Sequence, residues 1–312
     1  MLISSLPPVY QADRIKAIVE HPAVGAVRYN TGMSSPYTPQ QTVEKLQSIV
    51  KPSGKPLYID LKGKQLRVIE WANLPDGPIR LNHNVEVTLP AKVYFRGDDC
   101  CNLVEVANGN ELYVDPLPKA PVGRGQSVNI ITESLKIEGG LLALDHEYIK
   151  ASLAEGIVRF MLSFVESTYD LDELENAIEI HGRGSKRLAD CEVVWKIESK
   201  AGMQLVAETQ SSLFGGSSPH RLMAARDDLM IHLGVLAMPG ACRAIVEKDP
   251  WAICASRLLL GLEQGAVSMG DMSDIEFMQS LGYKDFMLSD GISREHAKEA
   301  LDFWQEYKAA RA

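Results

Sequence analysis

The chain has 312 residues, of which 46% are hydrophobic and 23% are charged, and its formal net charge at pH 7 is −9. This length is enough for one large hydrophobic core with a small second domain, and the composition is typical of a globular protein. The negative charge disfavours non-specific binding to nucleic acid. No apolar run reaches the ~20 residues that span a bilayer, so we expect no membrane partner.

The amino terminus and the cysteines favour a cytoplasmic location. The first ten residues have no basic start and are interrupted by Pro7 and Pro8, so we expect no signal peptide. The five cysteines include the adjacent pair Cys100 and Cys101, and none of them forms a C-x-x-C motif. Reduced thiols are therefore expected, rather than disulfide bonds or a zinc site.

Short apolar segments alternate with helical segments along most of the chain. Predicted helices include residues 39–50, 171–180 and 274–281, with Ser273 and Asp274 as the start of the third and Gly282 as its end, and a last helix is expected from 293 to about 310. The predicted strands are residues 2–6, 26–30, 56–61, 158–164, 192–198, 221–225, 251–255 and 285–289. Eight strands separated by helices predict an α/β fold, a parallel (β/α)8 barrel.

The stretch between Arg67 and Ser127 has no helical period. Turns are expected at Asp76-Gly77, Gly97-Asp98 and Asn108-Gly109, between short strand-like pieces. This pattern predicts a small antiparallel β domain inserted after the third strand. The expected domains are residues 1–68 with 127–312 for the barrel and 69–126 for the insert.

Polar residues end several of the predicted strands, where a barrel of this kind has its active site. Residues i and i+2 of a strand face the same side. The same-face pairs are Arg28 with Asn30, Asp60 with Lys62, and Lys196 with Glu198.

These residue types suit a site for a metal and an anion. Glu198 and Asp228, from neighbouring strands, could share a hard divalent cation such as Mg²⁺ or Mn²⁺. Lys196 and Arg28 supply positive charge for a phosphate or a carboxylate. The alternative is that buried ion pairs simply close the barrel, but burying so many charges without a ligand is costly.

Seven segments, taken in chain order, resemble motifs of the pyruvate kinase family. They are residues 27–30, 60–67, 162–165, 196–199, 223–229, 253–256 and 273–289. Residues 60–67 resemble the family's Asp-x-Lys-Gly-Pro-Glu-Ile-Arg signature, and residues 196–199 resemble its Lys-Ile-Glu-Asn. The resemblance covers nearly the whole chain, although the insert matches only loosely, and no segment corresponds to the family's C-terminal regulatory domain.

The resemblance implies roles for individual residues. Glu198 and Asp228 would hold the catalytic Mg²⁺, and Lys196 would stabilise the transferring phosphoryl group. The other assignments are Arg28 to the phosphate, Ser256 to enolate protonation, Arg67 to the catalytic set, Asn30 and Asp60 to a monovalent-cation site, and Lys62 to cofactor binding.

Several positions depart from the family's pattern. Gly125 and Gln126 lie where two lysines serve nucleotide phosphates, and Gly32 replaces a serine ligand of the monovalent cation. Asp227 replaces a glycine whose backbone faces the substrate carboxylate, and Asp290-Gly291 replaces Gly-Glu. The sequence therefore predicts that the part of the site that binds the metal and the enolate is retained. The parts that bind the nucleotide and potassium are predicted to be altered.

The leading hypothesis is an Mg²⁺-dependent enzyme acting on phosphoenolpyruvate, pyruvate or a related 2-oxo acid, with reduced nucleotide binding. A metal-dependent 2-oxo-acid aldolase or lyase is the second hypothesis, because residues 228–234 are similar to the Asp-Leu-x-x-x-Leu-Gly of those enzymes. A non-catalytic binder of a carboxylate or phosphate is the third. The sequence leaves open the nucleotide and whether the chain forms a homo-oligomer.

Overall fold

The computed structural model describes residues 1–95, 99–182, 188–215 and 218–311, so the turn expected at Gly97-Asp98 lies outside the described residues. The chain divides into two compact units. The first comprises Met1–Leu61 and Ala143–Ala312, and the second is Lys62–Leu142. The second unit extends further in both directions than the expected 69–126.

The strands, in chain order, are β1 (Leu2–Ser5), β2 (Val24–Asn30), β3 (Leu57–Leu61), β4 (Ile79–Arg80), β5 (Val85–Glu86), β6 (Ala91–Phe95), β7 (Asp99–Ala107), β8 (Glu111–Asp115), β9 (Val128–Ile131), β10 (Lys136–Ile137), β11 (Arg159–Leu162), β12 (Glu192–Ile197), β13 (His220–Ala225), β14 (Ile253–Ala255) and β15 (Asp285–Met287). The helices are α1 (Ala12–Glu20), α2 (Pro39–Val50), α3 (Ala143–Ala154), α4 (Thr168–His181), α5 (Lys200–Glu208), α6 (Arg226–Leu233), α7 (Met238–Lys248), α8 (Met269–Leu281), α9 (Asp290–Glu295) and α10 (Ala297–Ala309).

The first unit is a closed parallel barrel, as predicted. Its strands follow the order β1-β15-β14-β13-β12-β11-β3-β2, and each lies close to one of the eight strands predicted from the sequence. Methionine and aliphatic side chains fill the interior, and Met161, Met223 and Met287 are all buried there. The barrel interior is therefore a packed core, and the chemistry must lie at the ends of the strands.

Several helices of the barrel begin where a local side chain accepts a hydrogen bond from a backbone N–H of the first turn. Thr38 caps α2 by accepting a hydrogen bond from the backbone N–H of Gln41, and Pro39 occupies the first turn, where its missing N–H costs nothing. The predicted start of α8 at Ser273 was wrong: the helix begins at Met269, because Ser268 forms a capping box with Asp271.

The carboxyl-terminal segment forms two helices where one was expected. The short helix α9 ends at Glu295, and His296 (φ −131°, ψ 28°) separates it from α10. This break places Asp290 at the start of a separate helix that directly follows β15.

The second unit is built on a five-stranded antiparallel sheet in the order β4-β8-β7-β6-β9, together with the two-stranded pair β10-β5. It has its own core, in which Val93, Phe95, Leu103 and Leu112 are fully buried. The strands β9 and β10, which lie beyond residue 126, pair within this unit. A separate antiparallel β domain after the third barrel strand was predicted and is confirmed.

Within the described residues, no single helix is long and apolar enough to cross a membrane. One pair, Arg226–Leu233 with Val235–Lys248, reaches the required length and composition only when the two are counted together, and it is bent by 115°.

Candidate active site

Asp60 lies at the centre of the candidate site in the barrel unit. It follows three apolar residues of β3 and pairs in register with Asn30 of β2 on one side and Met161 of β11 on the other. Its side chain is fully buried, so its charge must be balanced by neighbouring donors. Those donors come from β2, from the end of β11 and from β12.

Arg28 of β2 supplies the first of these donors. Its Nε donates to Asp60 Oδ2 at 2.8 Å and its Nη2 donates to the same oxygen. The Nη1 group donates to Ser5 Oγ at 3.0 Å and also to Asp290 Oδ1. Burial lowers the pKa of Arg28, but Asp290 and Asp60 raise it more, so the guanidinium stays charged.

Lys196 of β12 approaches the same carboxylate from the other side. Its Nζ lies 3.4 and 3.5 Å from the two Asp60 oxygens, 3.3 Å from Glu198 Oε1, and donates to Ser163 Oγ at 2.7 Å. Burial lowers the pKa of Lys196, but Asp60 and Glu198 raise it more. The ammonium is therefore a fixed positive charge rather than a base. We call Arg28, Asp60, Ser163, Lys196 and Glu198 the mouth cluster.

Glu198 follows β12 directly and is buried. Its Oε2 accepts a hydrogen bond from the backbone N–H of Phe164 at 2.7 Å. Burial raises the pKa of Glu198 to about 7, with Asp228 and Asp60 adding to the rise while Lys196 and the Phe164 N–H oppose it. A cation bound beside Glu198 would stabilise its charged form, because it would offset the repulsion from the carboxylates of Asp228 and Asp60.

Asp228 lies in the first turn of α6, next to β13, and is half-buried. Its charge acts on Glu198 and on Lys196. Within the described ranges, no group of three or more His, Cys, Asp or Glu side chains could hold a metal ion. Two carboxylates do fit Mg²⁺, which commonly keeps waters and substrate oxygens as its remaining ligands. The chemistry of the pair, and the raised pKa of Glu198, therefore fit a divalent cation.

Asn30, expected near a monovalent cation, is held by protein groups in this structure. Its Nδ2 donates to Asp290 Oδ2 at 2.7 Å, and its Oδ1 accepts from the Gly32 N–H at 2.9 Å. Asp290 therefore contacts both Arg28 and Asn30. In the sequence, Asp290 stands out only as a departure from the family's Gly-Glu, and that departure predicts no role for it.

Ser256, at the end of β14, has a left-handed backbone with φ +63°. Its carbonyl oxygen accepts from Arg226 Nη2 at 2.6 Å, and Arg226 Nη1 donates to Asp274 at 2.6 Å. This buried arginine fixes the turn that presents Ser256. The neighbouring Arg257 lies 3.3 Å from Asp227 Oδ1, so the extra negative charge expected at Asp227 has a cationic partner.

His232 lies one helical turn after Asp228 on α6. Its ring makes an edge-on contact with Phe164, with centroids 5.8 Å apart. Burial lowers the pKa of His232 to about 4, so the ring is neutral at pH 7. The neutral ring of His232 thus packs on Phe164, the residue whose backbone N–H donates to Glu198.

The remaining predicted site residues lie in the second unit. Lys62 is buried there. Arg67 donates from Nε and Nη2 to Gln65 Oε1 at 2.9 and 2.7 Å and from Nη1 to the carbonyl of Gly125. Gly125 has φ +84°, a conformation that favours glycine. Lysine at this position would be strained.

The structure thus brings together Arg28, Asp60, Lys196 and Glu198, with Asp228 acting on them. Ser163 is the central residue that the sequence did not identify, since it appears only inside an apolar motif at the end of β11. The position of Ser163 could have indicated its role. It is a single hydroxyl residue after three buried residues of β11, which lies between two strands that end in charged groups. For Asp290, the only signal was an acidic residue after the last strand.

Comparison with known proteins agrees with this architecture. The chain is 22% identical over 294 residues to a pyruvate kinase of Thermoplasma acidophilum, a match that covers 88% of this chain and 51% of that protein. It is 25% identical over 208 residues to a pyruvate kinase of Methanocaldococcus jannaschii, covering 63% and 43%. The chain thus spans about half the length of these curated relatives.

A search of protein-family models gave no match. Among solved structures, a pyruvate kinase of Pyrobaculum aerophilum superposes with a TM-score of 0.70 at 18% identity, over 98% of this chain and 72% of that one. At this identity the superposition establishes the fold alone. The chain is therefore similar to pyruvate kinases in sequence and in fold.

Proposed function

We propose that the chain is a Mg²⁺-dependent enzyme that binds pyruvate, phosphoenolpyruvate or a related 2-oxo acid at the barrel mouth. The observation that carries the proposal is the position of Lys196, whose Nζ lies between the carboxylates of Asp60 and Glu198 in a buried site. A charged lysine fixed beside a pair of potential metal ligands suits a substrate that becomes more negative as it reacts.

Glu198 and Asp228 are the residues that would hold the metal. A divalent cation bound there would polarise the oxygens of a 2-oxo acid and favour its enolate. Glu198 must lose its proton to act as a ligand, and with a pKa raised to about 7 it does so near neutral pH. Mn²⁺ could replace Mg²⁺, because both prefer oxygen ligands.

Lys196 would stabilise negative charge on the substrate without transferring a proton. The hydrogen bond from Nζ to Ser163 Oγ and the two carboxylates fix the ammonium in place. This arrangement costs no reorganisation when charge develops during the reaction. Ser256 is the hydroxyl that we assign to the proton path, since the buried Arg226 holds its backbone.

Phosphoryl transfer to a nucleotide should be the weaker of the two activities. The curated relatives are named pyruvate kinases, but Gly125 and Gln126 lie where the family resemblance implies two lysines that bind nucleotide phosphates. Each lost charge-assisted contact costs about 1.5–3 kcal/mol, so the loss of two would weaken nucleotide binding by roughly a hundredfold or more. We therefore expect enolate chemistry to exceed kinase activity.

The two half-reactions can be tested on one preparation. In D₂O with Mg²⁺, NMR should detect exchange of the pyruvate methyl protons, whereas a coupled assay with phosphoenolpyruvate and submillimolar ADP should detect little ATP formation. Lys196→Met should abolish any phosphoryl transfer and reduce proton exchange less. Absence of exchange with metal bound would favour a non-catalytic binder. Metal-dependent cleavage of a 4-hydroxy-2-oxo acid would favour the aldolase hypothesis.

A further inference from the structure

Asp290 occupies a position built to bind an anion. Its Oδ1 accepts from Arg28 Nη1 and its Oδ2 accepts from Asn30 Nδ2 at 2.7 Å. One carboxylate thus bridges a guanidinium and an amide, two of the donor types that bind carboxylate and phosphate oxygens in proteins. The Asn30 amide is held in this orientation by the Gly32 N–H, which donates to its Oδ1.

The two carboxylates on Arg28 differ in their access to solvent. Asp60 is fully buried, whereas 40% of the Asp290 side chain is exposed. Asp60 also accepts hydrogen bonds from Ser163 and Lys196, so it cannot leave without exposing several charges. Asp290 is therefore the ligand of Arg28 that a soluble anion can replace.

The backbone that carries Asp290 is fixed. Ser289 caps α9 by accepting from the Ile292 N–H, and Ser293 Oγ accepts from the backbone N–H of Ser5 on β1 at 3.2 Å. Because the helix is attached to the barrel, exchange with a soluble anion requires only rotation of the Asp290 side chain.

The carboxylate of Asp290 affects which anions can bind, because the site already contains more carboxylates than cations. The mouth cluster and its neighbours contain two cations, Arg28 and Lys196, and four carboxylates, Asp60, Glu198, Asp228 and Asp290. A phosphate brings up to two further negative charges and must displace one of these carboxylates or be repelled by it. A ligand with a single carboxylate adds less charge.

We propose that Asp290 is a specificity-determining residue that fills the anion subsite formed by Arg28 and Asn30 and so disfavours phosphate-bearing ligands. The identification of this mouth as a substrate site rests on the proposed function. Within that function, the inference assigns unphosphorylated 2-oxo acids as the preferred substrate class, with phosphoenolpyruvate disfavoured.

The test is the affinity of the protein for inorganic phosphate, measured by calorimetry without metal or 2-oxo acid. Asp290→Asn and Asp290→Ala should bind phosphate at least about tenfold more tightly than the wild type, because a competing anion is removed. The matched control is Asp302→Asn, which removes a half-buried carboxylate of α10 that pairs with Lys298 and His21 and should leave phosphate affinity unchanged. The double variant Asp290→Asn/Arg28→Lys should lose most of the gain, because lysine lacks the guanidinium fork.

The inference fails if both Asp290 variants remain folded and bind phosphate no more tightly than wild type. It also fails if the gain survives Arg28→Lys, since the phosphate would then bind elsewhere. These results are separate from the fate of the proposed function. If the Asp290 variants gain phosphate affinity but the wild type shows no exchange of pyruvate protons, the anion subsite is supported and the proposed function is rejected. If the wild type shows exchange but the Asp290 variants gain no phosphate affinity, the proposed function is supported and the anion subsite is rejected.

Discussion

Lys196 and Asp60 form an ion pair across an intervening strand. They lie on β12 and β3, which are separated by β11 in the barrel, yet the Lys196 Nζ is 3.4 Å from Asp60 Oδ1. Ser163, just after β11, spans the gap by accepting from Lys196 Nζ at 2.7 Å while its own hydroxyl lies 3.3 Å from Asp60 Oδ1. This contact makes three neighbouring strand ends into one charged unit.

Asp60→Asn should strongly destabilise the protein. The change leaves Arg28 and Lys196 buried without their shared counter-charge, and breaking such a pair costs about 3–5 kcal/mol. Urea unfolding followed by circular dichroism measures the free energy of unfolding. Asp302→Asn is the matched control: this half-buried carboxylate of α10 pairs with Lys298 and His21 near the surface, and its loss should cost no more than about 1 kcal/mol. Equal losses in the two variants would contradict the account of the mouth cluster.

Ser163→Ala should affect catalysis more than stability, because Ser163 positions Lys196 rather than contacting the reaction directly. We expect a loss in kcat with the Mg²⁺ affinity retained. Ser163→Thr, which keeps the hydroxyl, should recover part of the rate. The exchange rate of pyruvate methyl protons, measured at several pyruvate concentrations, separates kcat from KM. An unchanged kcat in Ser163→Ala would mean that Lys196 does not depend on this hydrogen bond.

Metal binding should depend on pH through Glu198. Because its pKa is raised to about 7, Mg²⁺ affinity should rise with pH up to about 7 and level off above it. Below that pH the affinity should fall by about tenfold per unit, as one proton competes with the metal. Titrations from pH 5.5 to 8.5 measure this. Glu198→Gln should abolish tight binding, while Glu192→Gln, at the opposite end of β12, should bind Mg²⁺ normally.

The carboxyl group of Glu198 should also affect the free energy of unfolding of the metal-free protein. The folded state binds the Glu198 proton more tightly than the unfolded chain, whose glutamate has the ordinary pKa of 4.5. The contribution of Glu198 to the free energy of unfolding is therefore fully present below pH 4.5 and is lost as the pH rises to about 7. Glu198→Gln should remove this part of the pH dependence. An unaltered stability profile in the variant would place the pKa of Glu198 at its ordinary value.

Gly125→Ala should destabilise the second unit by about 1 kcal/mol, because its φ of +84° strains any residue with a Cβ. Gly240→Ala, in α7, is the control: no atom lies within 4 Å of its added Cβ and its φ is not left-handed, so stability should be unchanged or slightly higher. Thermal unfolding compares the two. A neutral Gly125→Ala would mean that the loop adjusts and that lysine could be accommodated there.

Much of this architecture could be predicted from local sequence patterns. The eight barrel strands are short apolar runs, several of which end in polar or charged residues, and that pattern predicts both the fold and the region of the site. The capping box at Ser268 was missed because Ser273 and Asp274 offered a second plausible helix start. Propensity could not choose between them.

Contacts between distant strands were beyond prediction. Asp290 reaches Arg28 and Asn30, which lie 262 and 260 positions away in the sequence, because β15 closes the barrel through β1. The role of Ser163 depends likewise on the spacing of three strand ends. Such contacts follow from barrel closure and side-chain direction, and neither is encoded in a local motif.

The most direct test of the central claim is a crystal structure of the protein with Mg²⁺ and oxalate, which mimics an enolpyruvate. We predict one octahedral Mg²⁺ with carboxylate oxygens of Glu198 and Asp228 at about 2.0–2.1 Å, oxalate oxygens in the same coordination sphere, and Lys196 Nζ within hydrogen-bonding distance of the oxalate. Mg²⁺ and oxalate bound away from these two carboxylates, or no binding at saturating concentrations of both, would contradict the account.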